Sequence, residues 1–302
     1  MIEYNRGIWK TAALAVAVTL VFAVFVFKFE DWTKDFNSEF VYAQSTGTGG
    51  GTGSSGTGVT KVIPQVAVGS YDAGLTKYIT VIQIINTGTT AISVSGNFYN
   101  TNGSASTLAM KSNLIPSGFT GTLPATNVGA SGVMTITADT AATGTINWAR
   151  IVTTGAASVS AYFELHDGAT NILYNRTGIA GSLATMSKFV IPRVRNVASG
   201  LDVGFAIVNT GATSANITLT AKDQGGVVLA VRTFTLAPGN HTSGFPFQLL
   251  AAGQACSPCL STEAAGTNYG FLSFESTSAA FASTALAIEG ASLSSFPIEV
   301  LQ

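Results

Sequence analysis

Charge is scarce in this chain. Only 10% of its 302 residues are Asp, Glu, Lys or Arg, and the net charge is −1. No run of Lys or Arg occurs, so the electrostatic footprint of a nucleic-acid binder is missing. Histidine and cysteine are equally thin, two of each. No G-x-S-x-G elbow is present, and no amphipathic helical pattern of ten residues follows residue 44. A charged, helix-rich enzyme is therefore excluded on composition, and no reaction is legible in the residues.

What remains is Ala, Val, Ile, Leu, Thr, Ser and 33 Gly, the composition of small β domains with short turns. Four of the fourteen basic and five of the fifteen acidic residues lie at or before Gln44, which leaves ten of each beyond it. That balanced, weakly charged remainder suits a protein that is tethered, secreted or built into a larger surface.

The N-terminus carries an uninterrupted apolar run, Thr11 to Phe27, preceded by Arg6 and Lys10. A helix of that length spans roughly 25 Å, just under a hydrocarbon core of about 30 Å. The basic residues ahead of it place the remainder of the chain outside the cytoplasm. Two readings stand for residues 1–44. Val41-Tyr42-Ala43 offers a signal-peptidase site, but far beyond the apolar run. Lys28 to Asp35 sets charge directly after the run, which favours an uncleaved signal anchor, with the chain held in a membrane through residues 11–27. Residues 45–58, STGTGGGTGSSGTG, contain no side chain able to order them and read as a flexible linker.

Beyond the linker the chain says nearly the same thing twice. Val62-Ile63-Pro64-Gln65-Val66 precedes Ile84-Ile85-Asn86-Thr87-Gly88; Val190-Ile191-Pro192-Arg193-Val194 precedes Ile207-Val208-Asn209-Thr210-Gly211. Each copy runs on to a polar turn, Asn100-Thr101-Asn102-Gly103 and Asp223-Gln224-Gly225-Gly226, at an offset of 123 residues. Solenoid repeats have periods of about 20–50 residues, so this is a duplicated domain. Short strand-like stretches separated by turns every eight to twelve residues predict an all-β fold. The expectation is two tandem immunoglobulin-like β-sandwiches, residues 59–186 and 187–302, after the N-terminal transmembrane or signal helix and the Gly-rich linker.

These pieces together resemble the tandem β-sandwich domains of uncharacterised secreted and cell-surface bacterial proteins. The residues that carry the resemblance are Ile191-Pro192, Val208-Asn209-Thr210-Gly211, Trp148-Ala149-Arg150-Ile151-Val152 and Ser295-Phe296-Pro297-Ile298. It implies fold and location and brings no catalytic residue with it. The anchor and a Cys-containing insertion depart from its pattern.

That insertion holds Cys256 and Cys259 in a C-x-x-C. A redox pair wants a helix N-terminus, and a zinc site wants four ligands, while His166 lies in the other repeat. A disulfide closing a tight loop is the default outside the cytoplasm. His166 and His241 sit beside Asp167-Gly168 and Pro238-Gly239-Asn240 and are expected to be exposed turn residues. Glu164 with Asp167, and Glu289 with Glu299, are the nearest approaches to a carboxylate pair. Asn102-Gly103 and Asp167-Gly168 lack the ligand spacing of a calcium loop. Trp148 is expected in a sandwich core. Tyr71 and Tyr99, beside turns, are the candidate ligand-facing aromatics. No catalytic, cofactor-binding or metal residue is assigned. The reading is a non-enzymatic extracytoplasmic surface protein with a structural or adhesive role and capacity for self-association. The rivals are a carbohydrate-binding module that takes a surface glycan, and a hydrolase with an unrecognised site.

Overall fold

β-Branched residues and turn-forming glycines decide the local structure. The computed structural model describes residues 58–181, 186–261, 266–276 and 280–301. The apolar run Thr11 to Phe27, residues 1–44 as a whole and most of the linker lie outside the described residues. The described chain is all-β. Its helical content is a 3-10 turn at Asp72–Gly74 and one short helix, α1 (Pro246–Leu250). Among the described residues no helix is long and apolar enough to cross a membrane. The described residues belong to one compact unit.

The first repeat contributes ten strands: β1 (Val59–Tyr71), β2 (Thr76–Asn86), β3 (Ile92–Asn100), β4 (Ala109–Ser112), β5 (Ile115–Thr120), β6 (Thr122–Val128), β7 (Val133–Ala138), β8 (Thr145–Thr153), β9 (Ala157–Asp167) and β10 (Leu173–Ala180). Strands pair in the order β6-β3-β8-β1 in one layer and β5-β4-β7-β2-β9-β10 in the other. The β1–β2 hairpin joins the layers. Inward residues of both, among them Ile63, Ile82, Ile84, Phe98, Ile151 and Phe163, close one core.

The second repeat contributes β11 (Lys188–Asn196), β12 (Asp202–Asn209), β13 (Ala215–Asp223), β14 (Val228–Leu236), β15 (His241–Gly244), β16 (Thr267–Glu275), β17 (Phe281–Glu289), β18 (Ser292–Phe296) and β19 (Glu299–Val300). Here the orders are β14-β13-β16-β11-β19 and β15-β12-β17-β18. The pairing β6-β3-β8-β1 is matched by β14-β13-β16-β11, and β7-β2-β9-β10 by β15-β12-β17-β18. Every ladder stays within its own repeat. The second core gathers Phe189, Ile191, Ile207, Leu219, Leu272 and Phe274.

The recurring Ile-Pro has a topological reason. Proline lacks an N–H for the ladder and belongs where one side of a strand is unpaired. Beside Pro64, β1 bonds only to β8, with a register shift between Ile63 and Val66. Beside Pro192, β11 bonds to β16, and β19 reaches only Phe189 and Val190.

Two expectations fail. His166 lies inside β9 and is buried, and His241 begins β15 and is buried. Strand β9 continues through the His-Asp pair because Thr76 and Lys77 of β2 pair with Asp167 and His166. Trp148 is buried, but not in a sandwich core. Its neighbours Ala149 and Asn147 point inward, so period-two alternation turns Trp148 to the outer face of β8. There it meets Val62, Val208 and Ala282, a small cluster shared by the two repeats.

Candidate functional site

The junction of the repeats brings aromatic and polar groups of both together. Trp148 is 2% exposed. Its ring stacks on Tyr99 at 4.2 Å between centroids, and its Nε1–H donates to the Gly239 carbonyl at 2.9 Å. The turn Asn100 to Gly103 meets the turn Pro238 to His241, where the His241 amide donates to the Thr101 carbonyl at 2.8 Å. Gly103 has φ +79°, which favours glycine, and a Cβ there would stand a tight 3.1 Å from the Gly239 carbonyl carbon. Leu293 of β18 completes the seam by entering the first core. Burial pushes the His241 imidazole down to about 4, against a smaller opposing pull from the Pro64 carbonyl. His241 is therefore neutral at physiological pH.

The remaining titratable groups serve local structure. Glu164 accepts from Arg176 Nε at 2.7 Å and faces His166 Nε2 at 3.0 Å. The other nitrogen, Nδ1, faces the Asn171 carbonyl. The Tyr174 hydroxyl and the amides and hydroxyl of the Ala169-Thr170 turn hold the Asp167 carboxylate well below the usual range. Asn102 likewise accepts from the Ser104 amide, as a turn residue does. Glu289 and Glu299 belong to different layers, on β17 and β19. In the second repeat Asp202 meets Arg195 Nε at 3.3 Å, and Arg195 lies over the Phe247 ring of α1. Burial raises the Asp202 carboxyl and lowers the nearby Arg193 guanidinium. Among the described residues no three His, Cys, Asp or Glu side chains gather to hold a metal ion.

Cys256 and Cys259 form a disulfide, with Cα atoms 5.1 Å apart. Its loop lies along the outer edge of β14. Val231 N–H donates to the Pro258 carbonyl at 2.9 Å, and Ser257 N–H to the Val231 carbonyl at 2.8 Å. The bridged loop thus shields an edge strand.

Tyr71 and Tyr99 are both half-buried. The Tyr71 hydroxyl donates to the Thr145 carbonyl at 3.1 Å, and its ring lies beside Gly144, where a Cβ would come within 2.7 Å. Burial pushes this phenol up to about 12. Tyr99 is stacked on Trp148 and leads into Asn100. Between the segments these tyrosines hold lies a groove of about 480 Å³, walled by Asn100 and residues 106–109 on one side and 140–145 on the other. No charged side chain lines it. Sequence position points to the tyrosines; the groove, built from segments some forty residues apart, leaves no local signal.

No protein-family profile matches the chain, and no curated protein matches it. Among solved structures it is similar to the C-terminal domain of the antigen I/II polypeptide BspA of Streptococcus agalactiae, at 9% identity over 81% of this chain and 100% of that one, with a TM-score of 0.18. It is also similar to the C-terminal domain of the antigen I/II-family protein AspA of Streptococcus pyogenes, at 10% identity over 80% and 98%, again with a TM-score of 0.18. At those TM-scores neither likeness carries an argument about this chain.

Proposed function

We propose that the chain is a non-enzymatic protein of the extracytoplasmic surface. It consists of two tandem immunoglobulin-like sandwiches, residues 59–186 and 187–302, held off a membrane by the apolar segment 11–27 and the linker 45–58. The observation that carries this reading is the Cys256–Cys259 disulfide, laid along the β14 edge as part of the fold. Structural disulfides persist in oxidising compartments and are rare in the cytoplasm. The N-terminal apolar run and the sparse charge agree with it.

The role is adhesive or structural. The β1–β2 and β9–β10 turns stand together, with Gly168 N–H donating to the Leu75 carbonyl, and they set Leu75 (72% exposed) and Ile172 (62%) into solvent. Paired exposed aliphatic side chains at a loop tip suit contact with a partner surface or a second copy. Edge-to-edge assembly is disfavoured at β5 and β6 by Pro116 and Pro124, and at β14 by the bridged loop.

Protease shaving of intact cells tests the placement. The expected result is loss of residues 58–302 while a cytoplasmic marker survives. Protection of both until the cells are lysed would overturn it.

A further inference from the structure

Behind the wall of the first repeat's groove lies an unusual residue. Asn147 is 0% exposed, and neither its amide nitrogen nor its carbonyl oxygen has a hydrogen-bond partner among the described residues. It lies on β8 directly opposite Asn100, and two residues along the same face from Thr145. Directly opposed residues share a face of the sheet. Asn100 and Thr145 both line the groove. Asn147 does not itself line the groove; its amide stands behind those two side chains, closed off from solvent. A buried donor and acceptor left unmatched are costly, and native proteins rarely tolerate both on one residue.

The walls narrow the chemistry. Asn100 Nδ2 donates to Ser104 and Ala105, which leaves its oxygen as an acceptor. Thr140 and Thr145 donate their hydroxyl hydrogens to Ala109 and Thr143, which leaves acceptor lone pairs on both. Ser106 Oγ accepts from Leu108 N–H and keeps a donor. Leu108 and Ala142 add apolar surface. The volume lies within the range of small-molecule sites, about 300–1,000 Å³. An ionic ligand would lose its hydration with no counter-charge in the lining.

The geometry points to a binding site for a neutral, hydroxyl-rich ligand, a short saccharide, whose hydroxyls meet Asn100, Ser106, Thr140 and Thr145 along the groove. Tyr71 and Tyr99 act as positioning residues that hold the two walls, not as stacking platforms. The site rests on the adhesive reading above and gives it a ligand class. At the register position of Asn147 the second repeat has Gly270, opposite the buried Arg193.

The test is saturation-transfer NMR on the full chain with neutral gluco-, manno-, galacto- and chito-oligosaccharides. At least one is expected to receive saturation from the wild type. Ala142→Trp, on the exposed rim, abolishes that transfer. Asn147→Leu raises the melting temperature, because an unmatched amide is removed. Transfer to none of the four classes overturns the site and leaves ordered water only as what the groove takes. Transfer undiminished in Ala142→Trp also overturns it. Either result alongside successful shaving of intact cells would remove the groove and leave the surface placement standing.

Discussion

At one end of its sheets the first repeat sets Asn147 between Val66 and Asn100, and the second sets Gly270 between Arg193 and Asp223. The strand pairing around the two positions is the same, yet the contents differ. In the second repeat Arg193 is buried near the Arg195–Asp202 pair, and the ring of Phe247 in α1 lies against Arg195. The first repeat leaves an uncharged groove. The same strand pairing carries a buried arginine in one repeat and an uncharged groove in the other.

Elsewhere the copies are alike to the level of single hydrogen bonds. Asn86 ends β2 and donates to the Thr90, Val128 and Gly129 carbonyls, while its oxygen accepts from Gly88 N–H. Asn209 ends β12, donates to Thr213 and Leu236, and accepts from Gly211 N–H. Each asparagine ties its own layer to the end of the facing edge strand, β6 or β14. This likeness can be broken first. Asn86→Ala is expected to cost about 4 kcal/mol, and Asn209→Ala about 3, because several buried carbonyls lose their donor together. Urea unfolding of the two variants measures the pair. Equal and negligible losses would show that the clamps are ornamental.

The seam between the repeats comes next. Trp148→Ala removes the stack on Tyr99, the cluster with Val62 and Val208 and the bond to Gly239, an expected loss of about 3 kcal/mol. It also converts one cooperative calorimetric transition into two, one for each repeat. Within the same seam, His241 binds its proton near pH 4 when folded and near 6.5 when unfolded. The unfolded state therefore holds more protons between those values. Stability is whole above pH 6.5 and falls as the pH drops towards 4, by about 3 kcal/mol at 1.4 kcal/mol per unit. His241→Leu flattens that slope, as thermal melts across the window would show. Asp167, with its depressed carboxyl, acts lower: its contribution is present above its unfolded pKa of about 3.9 and is lost below it.

The smallest effect separates the bridged repeat from the bridgeless one. Replacing both cysteines by serine frees a very short loop, worth about 2 kcal/mol by chain entropy. The loss should appear only in the second repeat's transition and in faster amide exchange at Val231.

The β class was legible in the sequence, since short strand-like stretches between turns are a local pattern. The Asn-Thr-Gly recurrence was visible, but its clamp was not, because the partners of Asn86 include carbonyls some forty residues away. Pro238-Gly239-Asn240-His241 has the composition of an exposed turn; His241 is buried in it, where the Asn100 turn of the other repeat meets it. Trp148 has the size of a core residue, and strand alternation sends it to the seam instead. The groove depends on which segments meet at the end of the sandwich, and no single stretch of the chain encodes that meeting.

Placement of both repeats outside the cytoplasm is tested most directly by alkylating the native protein in intact cells and measuring its mass before and after reduction. Cys256 and Cys259 are predicted to resist alkylation until reductant is added. Two thiols alkylated at once, without reduction, would contradict the oxidised bridge and the extracytoplasmic role built on it.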